Sequence, residues 1–300
     1  MNLTVNEIYK SFGEKNVLKG ISFSAESGKA LGILGRNGAG KTTLIRIIMQ
    51  VFGADTGTVL LDGEPIHTEK VHIGYLPEER GLYPKQKIMT QLLYFAELKG
   101  VDKKQAKVTA DKYFNELEIE QYKNVRLDTL SKGNQQKIQL IAALAPNPEL
   151  IILDEPLSGL DPVNAELFKG VIREEIKKNK YIIMSSHQMT TIEEFCRDIV
   201  IMNKGKTVLQ GNLNAIKKGY GRVKLTVKAE GNISPLAAEC GLVASEETPN
   251  GSSYNVQNEE QAHKLLHMII DRKIPLIRYE LREPTLNEIF IEKAGGGNED

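Results

Sequence analysis

Gly35-Arg36-Asn37-Gly38-Ala39-Gly40-Lys41-Thr42 fills the pattern GxxxxGK[ST] in full. An apolar run at residues 30–34 precedes it, and a helical pattern at residues 43–50, opening on Thr43, follows. A glycine loop between strand and helix lets backbone N–H groups curl around a polyphosphate, and the helix N-terminus adds positive potential. Lys41 is then placed to reach β- and γ-phosphates, and the Thr42 hydroxyl to ligate Mg²⁺. A glycine-rich turn with a solvated lysine is the plainer alternative, but it gives no reason for strand and helix on the two flanks.

Working outward, Leu150-Ile151-Ile152-Leu153-Asp154-Glu155 runs four apolar residues into two carboxylates. A buried parallel strand ending this way delivers its acids to the carboxyl edge of the sheet, where α/β folds bind ligands. Asp154 suits the magnesium shell, directly or through water, and Glu155 a general base that orients an attacking water. Taken alone, Asp-Glu after a strand is equally a helix N-cap. Paired with the phosphate loop, it reads as half of a nucleotide site.

Leu130-Ser131-Lys132-Gly133-Asn134-Gln135-Gln136 precedes that strand. Ser131 is a good N-cap for a helix expected over residues 134–145. Here the chain resembles the ATP-binding cassette of ABC transporters, whose LSGGQ signature these residues match. The resemblance implies that Ser131, Lys132, Gly133, Asn134 and Gln135 contact ATP held by a second cassette. Ser158-Gly159-Leu160-Asp161-Pro162 is similar to the family's D-loop, which puts Ser158 and Asp161 at the dimer seam. His187, after an apolar run at 181–185, resembles the switch histidine that contacts the γ-phosphate. Phe12, ahead of Gly13, matches the aromatic that stacks on adenine, with Val17 beside it; Phe in place of Tyr keeps the π-face. Two positions depart from the pattern. Glu78 stands where the family has the Q-loop glutamine, a carboxylate that could still accept at Mg²⁺. Lys132 replaces the first glycine of the signature pair.

The expected fold class is α/β, a P-loop NTPase with a RecA-like core, an antiparallel β subdomain and an inserted helical subdomain at about residues 84–145. Apolar runs at 29–34, 150–153, 181–185 and 198–202 supply the parallel strands, and residues 3–9 and 17–24 an earlier hairpin. This cassette should span residues 1–212. A small C-terminal α+β domain follows at 222–294, in the order β-α-(β)-β-α-β, ferredoxin-like in outline. Gly219–Gly221 reads as a hinge, and residues 295–300 as a disordered tail. The stretch Leu281-Arg282-Glu283-Pro284-Thr285-Leu286-Asn287-Glu288-Ile289-Phe290 looks like the C-terminal extension of ABC-2-type exporter ATPases, a bacterial subfamily related to sodium-efflux and drug-resistance exporters.

Composition narrows the classes further. The 39 basic and 39 acidic residues among 300 cancel, so no global field draws the chain to nucleic acid or an anionic surface. Cys196 and Cys240 lie outside any CxxC spacing and read as free thiols of a reducing compartment. The first ten residues are too polar for a secretory signal, and no run of about 18 apolar residues could span a bilayer. The resemblance therefore implies an ATPase with ATP and Mg²⁺ as cofactors, peripheral to the cytoplasmic face of a bacterial membrane. Its partners would be an integral-membrane permease of ABC-2 type and a second cassette, in a homodimer or paired cassette, with no direct nucleic-acid contact. The competing expectation is a soluble ABC ATPase acting on ribosomes or nucleic acid, a group that usually carries two cassettes, long coils or basic arms.

Overall fold

Alternating apolar residues make residues 2–26 a long hairpin of β1 (Asn2–Phe12) and β2 (Lys15–Glu26). Leu3, Val5 and Ile8 turn inward from one strand and Leu18, Ile21, Phe23 and Ala25 from the other. The register shifts between Val5 and Ile8, where Glu7 takes a φ of 49°. The structure, a computed structural model, describes residues 2–79, 81–248 and 251–295. The chain divides into two compact units, Met1–Gly211 and Asn212–Asp300.

In the first unit β3 (Ala30–Gly35) runs into α1 (Lys41–Ile48). Next come β4 (Thr56–Leu61), β5 (Glu64–Pro65) and β6 (Ile73–Leu76). A helical lobe follows, with α2 (Ile88–Leu98), α3 (Lys103–Glu116) and, after two 3₁₀ turns, α4 (Lys132–Leu144). The α/β pattern resumes with β7 (Leu150–Asp154), α5 (Pro162–Lys177), β8 (Tyr181–Ser185), α6 (Met189–Phe195), β9 (Cys196–Asn203) and β10 (Lys206–Asn212). The hairpin joins β4 and β5 in an antiparallel sheet of order β2-β1-β4-β5. The second sheet has the order β10-β9-β3-β8-β7-β6, with β9, β3, β8, β7 and β6 parallel.

One apolar cluster joins the two sheets through α1: Leu3 and Ile21 from the hairpin, Leu44 and Ile48 from the helix, Ile33, Ile152 and Ile183 from the parallel strands. Every residue of β7 and β8 is buried, which is why these strands read as unbroken apolar runs. The strands β4, β5, β6 and β10 lacked that signature. They are short or glycine-interrupted, and β4 and β10 keep at least half their residues out of the core. Gly74 in β6 is required by packing, since a Cβ there would lie 2.5 Å from the Ala143 carbonyl oxygen.

The second unit opens with α7 (Leu213–Tyr220) and continues β11 (Lys224–Ala229), α8 (Ser234–Glu239), β12 (Ala244–Thr248), β13 (Gly251–Asn255), α9 (Glu259–Asp271), β14 (Leu276–Arg282) and α10 (Leu286–Gly295). Its sheet order, β12-β13-β11-β14, is antiparallel throughout and matches the ferredoxin-like expectation. Leu225, Val227, Tyr254, Leu265 and Ile269 form its core. Two expectations change here. Gly219–Gly221 is the end of α7 rather than a hinge: Asn212 caps that helix by accepting from Ala215 N at 3.0 Å, and Gly221 closes it with a φ of 72°. Gly295 ends α10, and residues 296–300 of the expected tail lie outside the described residues.

Candidate functional site

Residues Ala30 to Leu34 of β3 are buried, so the loop that follows emerges at the carboxyl edge of the parallel sheet. Arg36, Asn37 and Gly38 are exposed there, while Ala39 is buried and its N–H donates to the Arg36 carbonyl at 3.1 Å. Gly40 sits at the N-cap of α1 with a φ of 102°. A Cβ on it would come within 2.7 Å of Leu18 Cδ2, so both conformation and space call for glycine. Thr42 is exposed and Thr43 half-buried on the first turn of the helix.

Lys41 turns its ammonium back into this loop, donating to the Gly35 carbonyl at 2.6 Å and more weakly to that of Arg36 at 3.4 Å. Burial lowers its pKa, while Glu155, Asp154 and Glu78 pull the other way. Those three carboxylates therefore share a neighbourhood with the phosphate loop, although the nearest of them in sequence, Glu78, comes 37 positions after Lys41. Glu78, just beyond β6, is exposed.

Asp154 ends β7, 6% exposed, and accepts a hydrogen bond from Ser185 Oγ at the end of β8. Burial raises its pKa, and the neighbouring Glu155 charge adds to that. Tyr75 on β6 stands next to it; burial, then the Asp154 charge, push the phenol up to about 12. Glu155 has a φ of 48°, an uncommon conformation for a residue with a Cβ. Its N–H donates to the Ser185 carbonyl at 3.0 Å. Its carboxylate accepts from Ser186 Oγ at 3.0 Å and from the His187 backbone N–H at 2.6 Å, and His187 Nδ1 lies 2.8 Å away. The ends of β7 and β8 thus hold the acid and the histidine as one hydrogen-bonded group. Tyr75, Ser185 and Ser186 were not singled out in the sequence. Tyr75 sits near the end of β6 and the Ser185-Ser186 pair at the end of β8, and they become informative only once β6, β7 and β8 lie side by side.

Ser131 Oγ accepts from Asn134 N at 3.3 Å, and α4 begins directly after it at Lys132, two residues before the expected start. Ser131 and Lys132 are exposed, and Gly133 and Asn134 half-buried. Gln135 turns inward and donates to the carbonyls of Leu130 at 2.9 Å and Leu127 at 3.3 Å. Gln136 donates to the Pro156 carbonyl at 3.3 Å, tying this helix to the segment after β7. A Cβ on Gly133 would lie 3.6 Å from Leu160, so the helix start adjoins the 158–161 loop. In that loop Ser158 N donates to the Glu155 carbonyl at 3.1 Å, and Asp161 caps α5 by accepting from Asn164 N at 3.0 Å. Among the described residues no hydrogen bond joins residues 131–135 to residues 35–43.

Phe12, at the end of β1, is 51% exposed and meets Phe52 edge-on at 5.7 Å. Val17 is half-buried against the core. Tyr9 is exposed as well, but its hydroxyl is occupied by Glu7 at 3.3 Å.

The described residues contain no cluster of three His, Cys, Asp or Glu side chains able to hold a metal. The Thr42 hydroxyl and the Asp154 carboxylate are instead hard oxygen donors of the kind that take Mg²⁺ together with substrate phosphates. No helix among the described residues is long and apolar enough to cross a membrane.

A phosphate loop, an acid-ended strand one place removed in the same parallel sheet and an inserted helical lobe define an ATPase cassette, and the comparisons agree. Residues 18–158 match the ABC transporter family, and residues 211–294 the C-terminal domain of DrrA1-3-like ATP-binding proteins. The chain is 40% identical to the ABC transporter ATP-binding protein YhaQ of Bacillus subtilis over 98% of each chain. It is 31% identical to the Nod factor export ATP-binding protein I of Paraburkholderia xenovorans, over 70% of this chain and 71% of that one. A solved ATP-binding subunit of an ABC transporter superposes with a TM-score of 0.69 at 27% identity, covering 74% of this chain and 94% of its own. The chain belongs to the ABC transporter ATP-binding proteins, a family that hydrolyses ATP.

Proposed function

We propose that the chain is the engine of an ABC-2-type exporter, dimerising on ATP to drive a separate permease in the bacterial membrane. The observation that carries this reading is the convergence of Lys41, Asp154, Glu155 and His187 at one sheet edge, with Ser131 exposed on a different loop. A site built this way holds the triphosphate from one side and leaves the other for a second subunit.

Gly35 to Thr43 would cradle the phosphates, with Lys41 exchanging its carbonyl contacts for β- and γ-oxygens. Phe12 would stack on adenine over Val17. Mg²⁺, held by Thr42 and Asp154 with Glu78 near, would supply charge neutralisation at the phosphates. Glu155 orients and deprotonates the attacking water once it leaves Ser186, and His187 contacts the γ-phosphate. Ser131, Lys132, Gly133 and Asn134 of a second cassette complete the pocket, with Gln135 bracing their loop and Ser158 and Asp161 lining the seam. ATP then acts as glue, because it binds the closed pair better than the open one. Export rather than import is supported by the Nod factor export relative and by the DrrA-like second unit. The permease would hold the chain at the cytoplasmic face.

Glu155→Gln tests the assignment. The variant should bind ATP as wild type does and lose about 10²–10⁴-fold in steady-state phosphate release. Retained turnover would refute the role of Glu155.

A further inference from the structure

The sheet of the second unit has two unlike edges. At one lies β12, Ala244-Ser245-Glu246-Glu247-Thr248, whose adjacent acids repel a like strand. At the other lies β14, Leu276-Ile277-Arg278-Tyr279-Glu280-Leu281-Arg282, seven residues that pair, among the described residues, on one side only, to β11. It has no proline, and its pairing with β11 is regular from Arg278 to Arg282. Its apolar residues are not hidden: Leu276 is 38% and Ile277 59% exposed. A strand of this length with exposed isoleucine and an open row of backbone groups is a template for another strand.

The order of its side chains says which strand. In an antiparallel pair, directly opposite residues share a face. If two copies of β14 meet about a two-fold axis at Tyr279, Arg278 of each faces Glu280 of the other, and Ile277 faces Leu281. The two Arg278–Glu280 pairs are then of opposite sign and the two Ile277–Leu281 pairs apolar on both sides, while at each end Leu276 faces Arg282. In the single chain Arg278 and Glu280 satisfy each other along the strand, so the same two groups are already poised on one face.

We propose that two copies of this chain join through β14, antiparallel about Tyr279, making one continuous sheet from the two second units. The contact needs no nucleotide and lies in residues outside the ATP site, so it goes beyond the cassette pairing above. It would keep two cassettes tethered between hydrolysis cycles.

The test uses full-length chain without nucleotide, followed by sedimentation and light scattering over rising concentration. Wild type should self-associate. Arg278→Glu alone and Glu280→Arg alone each set like charges opposite one another twice, and should weaken the dimer about tenfold or more. Mixing the two variants should restore it, because every Glu of one chain then faces an Arg of the other. That recovery cannot come from repair within a chain, since neither chain has changed. A wild type that stays monomeric, variants that associate like wild type, or a mixture without recovery would each overturn the proposal. Failure of the cassette reading would look different: the nucleotide-free dimer would remain and ATP would change nothing.

Discussion

Gly40 is the residue at which the phosphate loop has least freedom. Its φ of 102° strains any residue with a Cβ, and Leu18 Cδ2, 2.7 Å from where that Cβ would lie, would have to move aside. Gly40→Ala should therefore cost about 1–3 kcal/mol in stability and weaken ATP binding, measured by chemical denaturation and nucleotide titration; unchanged values in both would show that the loop tolerates the strain. Glu155 carries a related load. It sits at a φ of 48°, and Ser185, Ser186 and His187 hold it there. Strained acids persist where the surroundings over-determine them, which is what a group that must be aimed requires.

Helices and strands bring the next level of constraint. The helical lobe is tied to the core by Glu175 of α5, only 1% exposed. It accepts from Tyr113 Oη of α3 at 2.6 Å, while Lys180 Nζ, 2.6 Å away, also donates to Asn147 at 2.9 Å. Burial raises the Glu175 pKa, but Lys178, Lys180 and Tyr113 outweigh it and keep the carboxylate charged. Tyr113→Phe removes one donor from a buried anion and should cost about 1–3 kcal/mol, read from the denaturation midpoint; a shift of zero would mean that the lobe is held by packing alone. In the second unit Thr285 and Glu288 form a capping box at the start of α10, Thr285 N donating to Glu288 at 2.7 Å and Glu288 N to Thr285 Oγ1 at 3.2 Å. Burial raises the Glu288 pKa, but Arg282 and Thr285 more than offset it and hold the group at about 2, below its ordinary 4.5. A depressed carboxylate stabilises the fold above its unfolded pKa and loses that contribution as pH falls through the folded one. Melting temperatures should then drop between about pH 4.5 and 2 more steeply in wild type than in Glu288→Gln; parallel curves would show that Glu288 does not drive the loss.

For the whole molecule the central expectation is a pair of cassettes closed on ATP. In a chain carrying Glu155→Gln to block turnover and Arg278→Glu to remove the nucleotide-free contact, ATP should convert monomer to dimer in sedimentation. Adding Ser131→Arg should abolish that step, because the exposed cap that would meet the partner's triphosphate is obstructed. In an otherwise unaltered chain Ser131→Arg should lower hydrolysis about 100-fold or more. Dimer formation that ignores Ser131 would place the partner's contribution elsewhere.

What was legible along the chain was local in origin. The phosphate loop, the acid-ended β7 and the Ser131 cap are each contiguous, and buried parallel strands print unbroken apolar runs, so their residues and flanks could be read together. The strands β4, β5, β6 and β10 are short or half-exposed and left no such pattern, and a helix was hidden in what read as a glycine hinge at 219–221 because its cap, Asn212, lies outside the stretch. Tyr75, Ser185 and Ser186 gained meaning from the order β8-β7-β6, which sets three strand ends around Asp154 and Glu155. Tyr113, Asn147 and the Glu175–Lys180 stretch meet from three separate segments. Such contacts are chosen by the packing of distant elements, and no periodicity along the chain records them.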